Sequence, residues 1–358
     1  MKLVIVESPA KAKTIEKYLG RDYIVDASGG HVRDLPEKAI GIDVKNNFKP
    51  EYVIYPKKQD VVRRLAGLSK KAEKVYLATD PDREGEAISW HLMNALGLDD
   101  NYSRIMFNEI SKRAVNEAIE KPGKINMDLV NAQQARRILD RLVGYELSPV
   151  LCKKIQGKLS AGRVQSAALK LIVDRDREIK SFVKEEYWSV TAFLKKLTGS
   201  DIVFKAVLES KCGKKIKLEN KEKTDAVLKE LEGKDYTVES VKKSVTYGNP
   251  PPPFTTSTLQ QESSTKLGMA SNVTMQIAQQ LYEGLDLTGL GHIALVTYIR
   301  TDSTRVSAEA TAKARETLAE KYGEKYVPQK PNIYKSRKNS QDAVSYTHLR
   351  AHETSQDL

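Results

Sequence analysis

The chain has 358 residues, enough for two or three domains, and its formal net charge of +12 favours a polyanionic partner, nucleic acid above all. Its two distant cysteines, Cys152 and Cys212, give no basis for a disulfide framework or a zinc ribbon. No apolar run approaches the roughly 20 residues that span a bilayer. Because the N-terminus leads directly into a strand pattern rather than a signal peptide, we expect a cytoplasmic protein.

The first 125 residues alternate strand and helix patterns. The apolar run 3–6 predicts a buried strand, and Ser8 and Pro9 suit the cap and the first position of the helix that follows. This alternation is typical of an α/β domain with a parallel sheet. The predicted strands are 3–6, 75–79 and 104–107, the predicted helices are 9–19, 85–96 and 111–119, and an insertion with prolines and lysines occupies 35–60.

Acidic side chains follow two of these strands. Glu7 comes after the first strand, and Asp80 and Asp82 come after the run Val75-Tyr76-Leu77. Open α/β sheets keep their sites at the carboxyl ends of their strands, and crowded carboxylates repel one another unless a cation joins them. Oxygen ligands near phosphate suit Mg²⁺. The motif at Asp80 taken alone fits a solvated acidic turn at a helix N-terminus equally well.

The remaining residues change pattern twice. Helical patterns dominate 126–179, with arginines among the polar positions of the first helix, and a period of two from Tyr187 predicts a β-rich region with one helix near 223–232. The run 248–253, with four consecutive prolines, predicts a stiff linker and a domain boundary. Beyond the linker we expect two helices between 256 and 287 and one strand over 293–299.

Tyr298 lies at the end of that last predicted strand, in Thr297-Tyr298-Ile299-Arg300-Thr301-Asp302-Ser303. A phenol is a possible nucleophile, and the neighbouring Arg300 could hold a phosphate and stabilise its developing charge. The chain has 16 tyrosines, and a tyrosine in a strand usually serves packing. The residues around Tyr298, taken alone, therefore favour a structural role.

Five motifs occur in one order along the chain: 6–11, 80–86, 135–137, 159–166 and 298–303. Together they resemble the bacterial type IA DNA topoisomerases over about residues 1–343, although the acidic motif alone is shared with other Toprim proteins such as primases. The resemblance implies several domains: an α/β Toprim domain with a parallel sheet (1–34 and 62–125), a helical single-strand-groove domain (35–61 and 126–181), a β-rich hinge segment (182–252) and a partial helical domain with the catalytic tyrosine (253–343).

The resemblance also implies a reaction. Tyr298 would attack a DNA phosphodiester, keep the 5′-phosphate and release a 3′-hydroxyl, and strand passage and resealing would relax negative supercoils without ATP. Glu7 would assist proton transfer to the leaving oxygen, while Lys11 and Arg300 would stabilise the developing charge. The implied cofactor is Mg²⁺, with the ligands Glu7, Asp80, Asp82 and Glu84. The implied partner of this monomeric, nucleoid-associated enzyme is single-stranded DNA, contacted by His31, Arg136, Arg137, Ser160, Gly162, Arg163 and Gln165.

The sequence departs from the family pattern after Ala343, where Val344 replaces an expected histidine. Residues 344–358 therefore look foreign, and we expect a truncated chain without full turnover and a disordered tail. Three other interpretations stay open: a fragment that only binds single-stranded DNA, a decatenase similar to topoisomerase III, and a primase-like Toprim protein. The motifs at 160–166 and 298–300 disfavour the last of these.

Overall fold

The computed structural model describes residues 1–334 except residues 156, 200, 247, 249 and 290. The predicted foreign tail at 344–358 lies outside the described residues. The chain forms two compact units, one from Met1–Arg163 with the chain from Pro250 onward and one from Val164–Asn249. Within the described ranges, no helix combines the length and the apolar character needed to cross a membrane.

A four-stranded parallel sheet lies at the centre of the first unit, which confirms the predicted α/β fold. Alternate side chains of its first strand enter two different apolar clusters, Val4 and Val6 on one face and Leu3 and Ile5 on the other. A strand covered on both faces reads as a continuous apolar run. The order across the sheet is β2 (Tyr23–Ala27), β1 (Lys2–Val6), β7 (Lys74–Leu77) and β8 (Tyr102–Arg104).

Two details of this sheet differ from the sequence predictions. The edge strand β2 was missed, and β8 ends at Arg104 instead of covering 104–107. The apolar residues Ile105 and Phe107 belong to the first cluster, but they follow the strand rather than form it. Burial alone therefore produced the apolar pattern that the sequence analysis assigned to a strand.

Four helices surround the sheet, and three of them begin at capping side chains. Ser8 accepts from the Lys11 amide, Asp82 from the Gly85 amide and Ser111 from the Ala114 amide, at 3.3, 2.8 and 3.2 Å. Their positions confirm the predicted helices; the helix at 59–69 was not predicted. The four are α1 (Pro9–Glu16), α2 (Gln59–Ser69), α3 (Arg83–Leu96) and α4 (Lys112–Glu120).

The segment 33–54, which contains most of the predicted insertion at 35–60, forms two small antiparallel pairs, and long helices lie further along the chain. The pairs are β3 (Arg33–Asp34) with β6 (Val53–Ile54), and β4 (Ile42–Asp43) with β5 (Lys49–Pro50). A short 3₁₀ helix, Pro56–Lys58, leads into α2. The predicted helical region contains α5 (Met127–Lys154), which packs against α3, and α6 (Arg163–Ser181).

Beyond α6, the described part of the second unit contains antiparallel strand pairs and one helix, where a β-rich region with one helix near 223–232 was predicted. Two antiparallel pairs form there, and the tight turn between β11 and β12 places both Cys212 and Gly213 at positive φ, 52° and 74°. The elements are β9 (Thr191–Lys195), β10 (Val203–Val207), β11 (Ser210–Lys211), β12 (Lys214–Lys215) and α7 (Lys221–Leu231).

The segment after the proline linker contains the two predicted helices, but the predicted strand at 293–299 is wrong. Strand pairing ends at Ile293, and residues 294–299 continue as irregular chain. Ala294 and Tyr298 enter the first apolar cluster of the Toprim sheet, and the Tyr298 amide donates to the Asn108 carbonyl at 2.8 Å. The elements are α8 (Thr256–Leu267), α9 (Ser271–Glu283), β13 (Leu285–Leu287), β14 (Gly291–Ile293), α10 (Ala308–Tyr322) and a 3₁₀ turn (Glu324–Tyr326).

Arg104 joins the end of β7 to the start of α3 from inside the protein. Its side chain is fully buried, and Nε donates to Glu86 Oε2 at 2.9 Å. Its terminal nitrogens donate to the carbonyls of Leu77, Thr79 and Asp80 at 3.1, 2.8 and 2.8 Å. One guanidinium therefore satisfies the backbone at the strand end that carries the acidic motif.

Replacement of Arg104 should leave Glu86 as an unpaired buried charge. We expect Arg104→Met to lower the free energy of unfolding by about 3–5 kcal/mol, and Glu86→Gln added to it to restore part of the loss. Urea denaturation measures both. The control is Arg113→Met on α4, whose exposed ion pair with Glu117 should contribute less than about 1 kcal/mol. Equal losses in the two single variants would contradict the assigned role of Arg104.

Candidate active site

The pairing of β1 with β7 brings three predicted site residues together. Glu7 follows β1, Lys11 lies in the first turn of α1, and Asp80 follows β7. Lys11 is only 1% exposed, and its Nζ lies 2.6 Å from Asp80 Oδ1 and 3.7 Å from Glu7 Oε2. The Asp80 amide donates to Glu7 Oε1 at 2.9 Å. A buried cation thus lies between two carboxylates at the carboxyl edge of the sheet.

Glu7 is the carboxyl group in this cluster that favours its protonated form. Burial and the charge of Asp80 raise the pKa of Glu7 to about 7, although Lys11 opposes this effect. A carboxyl group with such a pKa can hold a proton at neutral pH and release it to a reacting oxygen. Glu7 therefore has the property of a general acid.

Tyr298 reaches the neighbouring carboxylate. Its side chain is 2% exposed, and its Oη donates to Asp82 Oδ2 at 2.5 Å. Arg300 places a guanidinium nitrogen 3.5 Å from the same oxygen. Burial and the charges of Asp80 and Asp82 raise the pKa of Tyr298 well above its ordinary value. The phenol is therefore protonated in this arrangement, and its hydrogen-bond acceptor is a carboxylate.

Glu84, the fourth predicted metal ligand, points to a different place. Its carboxylate accepts from Gln133 Nε2 at 3.1 Å and lies 3.5 Å from His31 Nε2. The hydrogen bond with His31 lowers the pKa of Glu84 to about 2. Both side chains line a cavity of about 280 Å³ between α3, α5 and the segment 31–55, with the lining residues His31, Asp34, Tyr52, Tyr55, Glu84, His91, Gln133, Arg136, Arg137 and Asp140.

The donor chemistry of the acidic motif suits Mg²⁺, because Glu7, Asp80 and Asp82 all offer carboxylate oxygens. Burial, and after it the charge of Asp80, raises the pKa of Glu7, and a bound cation would offset the contribution of Asp80. The positions of these side chains fit a metal ion less well than their chemistry does. Within the part of the chain that the structure describes, no group of three or more His, Cys, Asp or Glu side chains is placed to hold a metal ion.

The predicted DNA contacts fall into two groups. Arg136 and Arg163 both lie near Asp140, at 3.9 and 3.0 Å, and Arg137 forms a bidentate pair with Asp34. These arginines and His31 therefore surround one region of α5 and its cavity. Ser160 and Gly162 lie in the link before α6, and Gln165 belongs to the second unit.

Two residues of this region were not found by sequence reasoning. His91 lies inside α3 and is almost completely buried, where its Nδ1 accepts from Arg33 Nε at 3.3 Å. Tyr282 is fully buried and donates to Asp80 Oδ1 at 3.1 Å. A histidine inside a helix and one tyrosine among 16 carry no local signal. Only the tertiary arrangement reveals these two contacts.

His91 should make the protein sensitive to acid. Burial, Arg33 and His31 lower the pKa of His91 to about 3, so its neutral form contributes stability above pH 6.5 that is lost as the pH falls toward 3. We expect up to about 1.4 kcal/mol of stability lost per pH unit in this window, and a shallower loss in His91→Gln. Urea denaturation at pH 7, 5 and 4 measures both slopes; equal slopes would contradict this prediction.

Known protein families and a solved structure match most of this chain. Residues 2–110 match the Toprim domain, and residues 124–354 match the DNA topoisomerase family, a range that runs past Ala343, where the resemblance was expected to end. The full-length topoisomerase I from Thermotoga maritima is 47% identical with a TM-score of 0.76, over 91% of this chain and 54% of that chain. The present chain thus spans about half the length of that relative. On the sheet, the motifs and these matches, the chain belongs to the bacterial type IA DNA topoisomerase family.

Proposed function

We propose that this chain carries the DNA-cleaving centre of a type IA topoisomerase, which cuts one strand through a transient 5′-phosphotyrosine bond. The observation that carries this proposal is the hydrogen bond from Tyr298 to Asp82, with Arg300 beside it. It joins a possible nucleophile to the end of the sheet that holds Glu7 and Lys11. Resealing after strand passage would relax negative supercoils without a nucleotide, because the phosphotyrosine conserves the bond energy.

The proposed cleavage step assigns one role to each group. Tyr298 Oη forms a bond to phosphorus while the bond to the 3′-oxygen breaks, and the phenol proton passes to an acceptor, for which Asp82 is hydrogen-bonded. Glu7 supplies a proton to the 3′-oxygen, which its pKa of about 7 supports. Lys11 and Arg300 offset the negative charge that grows on the phosphate oxygens. Resealing reverses these transfers.

Toprim domains of this family bind Mg²⁺. We assign Glu7, Asp80 and Asp82 as the side chains that would hold it, since all three lie at the same edge of the sheet. When bound, the ion supplies positive charge for the phosphate during resealing. Glu84 contributes as a ligand only if its carboxylate leaves Gln133 and His31.

The substrate would be single-stranded DNA, bound by a monomer of this chain. The support is the net charge of +12 and the arginines of α5, with His31 at the edge of the same cavity. Each of Arg136, Arg137 and Arg163 is paired with an aspartate of its own surface. Arginines that leave these aspartates to bind DNA phosphates would release counterions from the DNA, so affinity should fall steeply with salt.

A second candidate function is DNA binding without turnover. The burial of Tyr298 favours it, because a nucleophile that is 2% exposed is closed to a phosphodiester in this arrangement. The two candidates differ in one observable, since only the first attaches protein to a 5′-phosphate.

Tyr298→Phe should abolish covalent attachment to a single-stranded oligonucleotide, because the substitution removes the attacking oxygen. Binding of the same oligonucleotide should change by less than about twofold. Denaturing gels measure attachment, and fluorescence anisotropy measures binding. The control is Tyr326→Phe, a tyrosine that is 61% exposed and should behave as the unmodified chain does. Attachment that persists in Tyr298→Phe would exclude this tyrosine as the nucleophile.

The double variant Asp80→Asn with Asp82→Asn should bind Mg²⁺ more weakly, because it removes two of the three charges assigned to the ion. We expect a loss of at least about tenfold in affinity, measured by calorimetry. The matched control is Asp60→Asn with Asp225→Asn, two exposed aspartates on α2 and α7. Equal Mg²⁺ affinity in the site variant and in the control would contradict the assignment.

A further inference from the structure

Tyr282 occupies the last turn of α9 and is completely buried. Its Oη donates to Asp80 Oδ1 at 3.1 Å, and the same carboxylate oxygen accepts from Lys11 Nζ at 2.6 Å. The ammonium also lies 5.2 Å from the centre of the Tyr282 ring, within range of a cation–π interaction. One tyrosine thus contacts both members of the central ion pair.

The same ring contacts the proposed nucleophile. The rings of Tyr282 and Tyr298 meet edge to face, with centroids 5.5 Å apart and planes inclined by 66°. The helix that carries Tyr282 is anchored directly beside it, because Thr14 Oγ1 of α1 donates to the Glu283 carbonyl at 2.7 Å. Tyr282 therefore has a fixed backbone next to the groups that it touches.

We infer that Tyr282 is a positioning residue for the proposed cleavage reaction. Its hydroxyl fixes the carboxylate of Asp80, and its ring holds Lys11 and Tyr298 in place by direct contact. This inference rests on the proposed function. Two donors on one carboxylate oxygen fix that oxygen and the plane of the group, and a hydrogen bond to a charged acceptor is stronger than one between neutral groups.

Ordinary core packing does not account for these contacts. A packing residue at this position needs only the ring, and phenylalanine would supply it without a buried hydroxyl to satisfy. The hydroxyl donates to Asp80 Oδ1 at 3.1 Å, a contact that a phenylalanine ring could not make. The hydroxyl therefore binds Asp80, and the ring contacts Lys11 and Tyr298.

The test compares single-turnover covalent attachment to a single-stranded oligonucleotide with binding of the same oligonucleotide. Tyr282→Phe should slow attachment about tenfold and leave the dissociation constant within about twofold. Tyr282→Leu should slow it further, because the ring contacts with Lys11 and Tyr298 are lost. The control is Tyr76→Phe, a buried tyrosine of the same apolar cluster that packs against Tyr23. Equal attachment rates for Tyr282→Phe and the unmodified chain would overturn the inference.

A double-mutant cycle tests whether Tyr282 acts through Asp80. In the Asp80→Ala background, Tyr282→Phe should have no further effect on the attachment rate, since its hydrogen-bond acceptor is already absent. Two effects that multiply would show that Tyr282 acts by another route and would overturn the inference. A purely structural role would instead lower stability in both backgrounds, which urea denaturation detects.

A measurement without DNA separates failure of this inference from failure of the proposed function. If the unmodified chain attaches to no oligonucleotide, the proposed function fails. The positioning role can then still be tested by the chemical reactivity of Lys11. Acetylation of Lys11 by acetic anhydride, read by mass spectrometry, should rise severalfold in Tyr282→Leu and stay unchanged in Tyr76→Leu. Equal protection of Lys11 in the two variants would overturn the positioning role.

Discussion

The geometry of the whole site depends on the buried cation between Glu7 and Asp80. Lys11 pairs with Asp80 at 2.6 Å in a region where like charges would otherwise face each other without solvent. A buried ion pair is stable only with good geometry and further hydrogen bonds. Here the Asp80 amide donates to Glu7, and Tyr282 donates to Asp80. Burial, and after it the charge of Asp80, raises the pKa of Glu7 to about 7, so one arrangement contains both a fixed cation and a proton donor.

The backbone of the acidic motif is fixed by contacts on the inner side of the protein. Gly85 lies so close to the acidic motif that a Cβ there would come within 2.2 Å of the Asp80 carbonyl oxygen, so the start of α3 approaches the strand end as only glycine permits. Arg104 completes the arrangement through the carbonyls of Thr79 and Asp80. The backbone of the acidic motif is thus held by contacts on its inner side.

The sequence was sufficient for elements whose patterns are local and insufficient for contacts that depend on the tertiary fold. The cap at Ser8 and the alternation of strand and helix were readable from the residues themselves, whereas the cap that Asp82 provides was not predicted. The predicted strand at 293–299 failed because packing on a distant core produces the same apolar run as a strand does. The roles assigned to Tyr298 and Arg300 came from the family resemblance, and no local pattern pointed to Tyr282.

One hydrogen bond of Tyr298 bears directly on its reactivity as a nucleophile. Its oxygen is hydrogen-bonded to Asp82, which also caps α3, and both groups are buried. A phosphodiester can reach that oxygen only after the segment around Tyr298 moves away from the end of β7. Such a movement would break the hydrogen bond from the Tyr298 amide to the Asn108 carbonyl and remove the Tyr298 ring from the apolar cluster of the sheet.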